Sequence, residues 1–173
     1  MAVRTAPNAK VSYRKVRVFG LARRGVSAVV STQFVQQRER SRMSSDAIVI
    51  LKEDHQQIRK LFSDFREAGE NATATKGKLA TRIIEKLTVH TYLENEVMYP
   101  EVRNRLPELE EDVLESYEEH HVADVLCMEL YVMKPDAERF DAKMAVLIEN
   151  VTHHIDEEEN DWFPKVREGL GRN

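Results

Sequence analysis

Residues 90–103 read HTYLENEVMYPEVR, and residues 154–167 read HIDEEENDWFPKVR. Both stretches place a histidine, a glutamate four positions on, an aromatic residue followed by proline, and then Val-Arg. Four positions are about one turn of an α-helix, so each histidine shares a helix face with its glutamate. An offset of sixty-four positions carries His90 onto His154, Glu94 onto Glu158 and Pro100 onto Pro164. It carries His55 to within one residue of His120. The repeat predicts two similar helical hairpins that face each other across a pseudo-two-fold axis.

The surrounding pattern is helical throughout. Ile48, Leu51, His55, Ile58, Leu61, Phe62 and Phe65 recur every three or four residues, one stripe of an amphipathic helix that stops near Gly69. Ser45 or Ser44 is placed to cap its start. A second helix is expected over about residues 76–102, a third over 108–133 and a fourth over 137–167. Leu106-Pro107 and Lys134-Pro135-Asp136 separate them. Pro100 and Pro164 should kink or end their helices just past the glutamates. No stretch alternates apolar and polar residues as a strand would. The fold class is therefore all-α, an antiparallel up-down-up-down four-helix bundle.

Composition points the same way. Glycine and proline are scarce, 6 and 5 in 173 residues, which disfavours sandwiches and barrels rich in tight turns. The lone cysteine, Cys127, sits in an apolar helical run and is read as a buried thiol. It cannot form an internal disulfide, and the chain is expected to be cytoplasmic. No apolar run approaches the roughly 18 residues that a membrane helix needs.

Charge divides the chain. Residues 1–42 carry ten Lys or Arg against one acid, Glu39, leaving 16 basic and 29 acidic residues in the remainder. Residues 1–44 are expected to be a basic, disordered extension, and residues 45–170 a single domain. The extension reads as a targeting peptide, as a bland tail, or as no working segment at all, with Met43 as the natural start. No nucleic-acid recognition motif accompanies its charge, so no nucleic-acid partner is expected.

The inward stripes carry the chemistry. Each of the four helices places one histidine there: His55, His90, His120 and His154. Glu94 and Glu158 follow one turn after two of them, also inward, whereas Glu96 and Glu159 are expected to matter less. His120 fits the stripe better than His121, which is kept as an alternative, and His153 lies about 100° off it. Burying four imidazoles and two carboxylates is costly unless a cation satisfies them. Imidazole nitrogen with carboxylate oxygen suits iron, manganese or zinc. Six ligands exceed one tetrahedral zinc but fit two ions, with the glutamates able to bridge.

These residues resemble the hemerythrin-like, or HHE cation-binding, family. The likeness rests on Asp54-His55, His90-x-x-x-Glu94 with Tyr99-Pro100, Glu119-His120, and His154-x-x-x-Glu158 with Phe163-Pro164. It implies a four-helix bundle around two iron ions (Fe2+/Fe3+) joined by an oxo or hydroxo bridge. It also implies a protein that binds, senses or reacts with O2, H2O2 or NO. The chain departs from oxygen-carrying hemerythrins, which place two histidines one turn apart on the third helix and close the site with an aspartate. Here Ser116 and Asp124 flank His120 by one turn, and the closing acid is Glu158. That departure favours reactivity or sensing over plain O2 carriage. The alternatives are a peroxide- or NO-consuming di-iron oxidoreductase, catalase-like or NO-reactive and needing a redox partner, and a bundle that metal merely staples. No membrane association is expected.

Overall fold

The computed structural model describes residues 46–171. The basic extension, with Ser44 and Ser45, lies outside the described residues. Helix α1 spans Ala47–Glu67. Helix α2 spans Thr73–Leu93 and runs through a π-helical turn, Glu94–Met98, into α3, Tyr99–Arg105. A 3₁₀ turn, Pro107–Leu109, leads into α4, Glu110–Val132. Helix α5 spans Phe140–Glu157 and passes through a second π turn, Glu158–Trp162, into α6, Phe163–Gly169. No strand occurs among the described residues.

These segments make four rods. The first packs on the second, the second on the third, the third on the fourth, and the fourth closes on the first. Short connections make successive rods antiparallel, giving the expected up-down-up-down bundle. Gly77 lets the third connection pack against α2, since a Cβ there would lie 2.7 Å from Pro135 Cγ. No described helix is long and apolar enough to cross a membrane.

Local signals account for the ends. Asp46, not a serine, caps α1: its Oδ1 accepts from the backbone N–H of Ile48 at 2.9 Å and of Val49 at 3.4 Å. Glu110, Glu111 and Asp112 place negative charge at the start of α4, where the helix dipole favours it.

The two prolines neither end nor break their rods. Each enters at the start of a new α-helix, directly after a π turn. In those turns the N–H of Tyr99 bonds the carbonyl of Glu94, and the N–H of Phe163 bonds that of Glu158, five residues back. Pro100 has no N–H for the carbonyl of Asn95, and the Tyr117 hydroxyl donates to that oxygen instead, at 3.2 Å. The π turn thus absorbs the proline that sequence reasoning treats as a stop.

Apolar side chains form two clusters. One gathers Ile58, Phe62, Ile83, Leu87, Cys127, Met144 and Leu147. The other gathers Leu51, Tyr99, Val113, Trp162 and Phe163. Along every rod the buried histidines and glutamates fall where one cluster gives way to the other, so their layer is walled above and below by hydrocarbon.

Candidate metal centre

The six sequence-predicted groups lie in that layer, and all are buried: His55, His90, Glu94, His120, His154 and Glu158. The Nε2 atoms of His55 and His90 approach to 3.2 Å, and those of His120 and His154 to 3.0 Å. Each hairpin thus contributes one imidazole pair. The glutamates lie between the pairs. Glu94 Oε2 is 3.2 Å from His90 Nε2 and 3.4 Å from His120 Nε2. Glu158 Oε2 is 3.3 Å from His55 Nε2 and 3.6 Å from His154 Nε2. His121 is exposed and takes no part, and His153 is also on the surface.

The outer ring nitrogens explain why the inner ones face the centre. His55 Nδ1 lies 2.8 Å from Glu159 Oε1, His154 Nδ1 2.6 Å from Glu119 Oε2, and His120 Nδ1 2.8 Å from Asn95 Oδ1. Carboxylate and amide oxygens accept, so Nδ1 holds the hydrogen and the Nε2 lone pair points inward. His90 Nδ1 faces Asp54 Oδ2 at 3.9 Å, and Asp54 Oδ1 accepts from Lys86 Nζ at 2.6 Å.

These supporting residues follow one rule. Each adjoins a member of the layer in sequence and reaches the histidine of a neighbouring rod: Asp54 to His90, Asn95 to His120, Glu119 to His154, Glu159 to His55. Periodicity makes Glu159 a poor candidate, because it reports only which side chains face inward on their own helix. The available signal was an Asp, Asn or Glu beside a ligand-type residue on all four rods.

Electrostatics show what the layer lacks. Burial, and then the Glu158 carboxylate, push Glu94 well above the ordinary carboxylate range. Burial and the neighbouring imidazoles hold His90 well below the ordinary histidine value and bring His120 down to about 2. Burial also works against charge on His154, but its bond to Glu119 and the nearby Glu158 prevail and raise it. Both oxygens of Glu94 and Oε2 of Glu158 have no hydrogen-bond partner although fully enclosed. Opposed imidazole lone pairs and orphaned carboxylate oxygens are the arrangement that cations satisfy. The donors fall into two groups able to hold a metal, His55–His90–Glu94–Glu158 and Glu94–His120–His154.

Two aromatic residues complete the walls, each crossing to the other hairpin. Phe163 stacks on His55 with 5.7 Å between ring centroids, and Tyr99 stacks on His120 at 5.5 Å. These two are repeat counterparts, but only tyrosine carries a hydroxyl. It donates to Glu158 Oε1 at 3.1 Å and lies 3.4 Å from His120 Nε2.

The family described as "Hemerythrin HHE cation binding domain" matches residues 46–166. Among curated proteins, the chain is similar to one from Nostoc sp. named DNA nickase, with 26% identity over 121 residues, which are 70% of this chain and 33% of that protein. It is also similar to an uncharacterized hemerythrin-like protein of Schizosaccharomyces pombe, with 27% identity over 127 residues, 73% of this chain and 60% of that one. The chain spans less than two thirds of either relative's length. No solved structure matches it.

Proposed function

The chain belongs to the hemerythrin HHE cation-binding family, and on that premise we propose that it is a non-haem di-iron protein that binds, senses or reacts with O2, peroxide or nitric oxide. His55 and His90 would hold one iron, His120 and His154 the other, and Glu94 and Glu158 would serve both. The observation that carries this reading is the enclosed layer of four inward Nε2 atoms around carboxylate oxygens that have no other partner. Bound iron supplies electrons and a position where a small oxidant can coordinate.

The chain's own residues supply the rest. The apolar clusters keep bulk water from the layer. The outer hydrogen bonds fix the tautomers of His55, His120 and His154 and hold those rings in place. Burial, with Glu94 and Glu158 nearby, pushes the Tyr99 phenol well above its ordinary value, so it keeps its proton and offers a fixed O–H beside His120. That donor, which the other hairpin lacks, favours reaction or sensing over carriage. An external electron donor would be needed for turnover. The excess of acid over base outside residues 1–42 disfavours a DNA-directed activity like the one named for the Nostoc relative.

Metal analysis of the purified protein, with an absorption spectrum before and after peroxide, tests the proposal. Two irons per chain with oxo-bridge bands support it. Steady loss of peroxide identifies an enzyme, and a single stoichiometric change identifies a sensor. One zinc per chain would overturn it.

A further inference from the structure

A second donor group lies outside the bundle core. Glu119 on α4 and His153 and Glu157 on α5 bring one nitrogen and two carboxylates within 4.8 Å of one another. His153 Nε2 is 3.1 Å from Glu157 Oε1, and both side chains are mostly exposed, at 68% and 54%. Alone, such a pair one turn apart on one helix is an ordinary surface contact worth about 0.3–0.5 kcal/mol. Two features set this one apart.

The first is the third donor. Glu119 comes from another rod and is only 21% exposed, with Oε2 fixed by His154 Nδ1. It thus joins a held, half-buried carboxylate from a second rod to the exposed pair on α5.

The second is a break in the repeat. In the first hairpin's half, the carboxylates behind the histidines carry protein cations: Lys86 on Asp54, and Arg59 on Glu159 at 3.0 Å. Glu119 has no Lys or Arg ion pair among the described residues. The position equivalent to Lys86, sixty-four residues on, is Asn150. The same offset places His153 and Glu157 opposite Val89, which is buried, and Leu93, which is half-buried. Where one hairpin has a cation and two apolar side chains, the other has no cation and two added metal-type donors.

We propose that Glu119, His153 and Glu157 form a surface site for a divalent transition-metal ion. One imidazole and two carboxylates, completed by water, suit Zn2+, Mn2+ or Fe2+ rather than Ca2+. The bound ion takes the electrostatic place that Lys86 and Arg59 fill in the other half. The site depends on none of the inner ions, so it stands whether or not the inner pair is iron.

The test uses the protein as purified, with its metal content first measured, and titrates Zn2+ by calorimetry and equilibrium dialysis. The expected result is one further Zn2+ per chain above the starting content. His153→Ala and Glu157→Gln should each weaken that uptake at least about tenfold, while the starting content stays unchanged. His121→Ala, which removes another exposed histidine, should leave the uptake intact. No uptake at millimolar Zn2+, or uptake of equal strength in His153→Ala and Glu157→Gln, would overturn the proposal. Circular dichroism checks that these surface variants remain folded.

Discussion

The Tyr99 hydroxyl donates to Glu158 Oε1 at 3.1 Å, reaching from the proline turn of one hairpin to the glutamate of the other. Its repeat counterpart, Phe163, covers His55 with no polar atom. The layer is therefore two-fold in its imidazoles and carboxylates but one-sided in its hydroxyl. Tyr99→Phe should keep the fold and metal content, since the ring still stacks on His120. It should lower stability by about 1.5–3 kcal/mol, the usual worth of a hydrogen bond to a charged group. Urea unfolding of the as-purified protein measures this. A loss below the error of the measurement would mean that the hydroxyl is not bonded as seen.

Four single substitutions separate inner from outer roles. Glu94→Ala and Glu158→Ala should lose most bound metal, because each removes a carboxylate shared by both imidazole pairs. Glu96→Ala, at an exposed position, should lose none. Glu159→Ala should fall between, with metal affinity reduced about 10–100-fold through loss of the His55 support. Metal analysis after dialysis against a graded chelator ranks the four. A Glu159 variant that behaves like the Glu96 variant would remove the supporting role.

The rods and the six inward groups were legible in the sequence because both follow from periodicity. A stripe every three or four residues marks a rod, and a histidine on that stripe, followed one turn on by glutamate in two of the rods, marks what the rod turns inward. Features that depend on a neighbouring rod were not legible. Glu159 looked peripheral because its partner, His55, lies more than a hundred positions away. The π turns were missed because a five-residue backbone bond leaves no side-chain pattern, and a proline reads as a break until Tyr117 is seen to satisfy the carbonyl of Asn95. The cap moved from serine to Asp46 for a simpler reason: several good capping residues stood in a row.

Removing metal should expose the cost of Glu94. Burial and Glu158 hold its proton affinity above the ordinary carboxyl value of 4.5. A carboxyl raised in the folded state contributes stability that is full below the unfolded value and is lost as pH rises through the folded one. Metal-free wild-type protein should therefore lose stability relative to metal-free Glu94→Gln as pH rises above the ordinary carboxyl value toward the raised folded one. With metal restored the order should reverse, because glutamine is the poorer ligand. Melting temperatures across that rise in pH, with chelator and with metal, give the comparison. A gap between the variants that does not change with pH would contradict it.

Cys127 should be inert while the bundle is folded. Burial, helped by Asp124, pushes its thiol up to about 12 from an ordinary 9.0. Raising the pKa lowers the thiolate fraction at any pH below it, so at pH 8 reaction with an aromatic disulfide reagent should slow roughly a thousandfold. Denaturant should restore the ordinary rate. Fast labelling in buffer would show that the cluster around Cys127 opens readily.

Deleting Val97 tests the π turn itself. The side chain is 62% exposed, so Val97→Ala should cost little. Removing the residue is different. Without the extra position the turn closes as an ordinary α-helix, and everything after it rotates by about 100°. Tyr99 and Val102, now at 0% and 3% exposure, would swing out of the core. Pro100 would also face the carbonyl four residues back inside a regular helix, at a cost of about 3 kcal/mol or more. The deletion should therefore unfold the second rod beyond Glu94 and release metal, whereas the alanine variant keeps both helicity and metal. Circular dichroism and metal content read the two effects separately, and a deletion variant that retains metal would show that α3 does not depend on the π turn for its register.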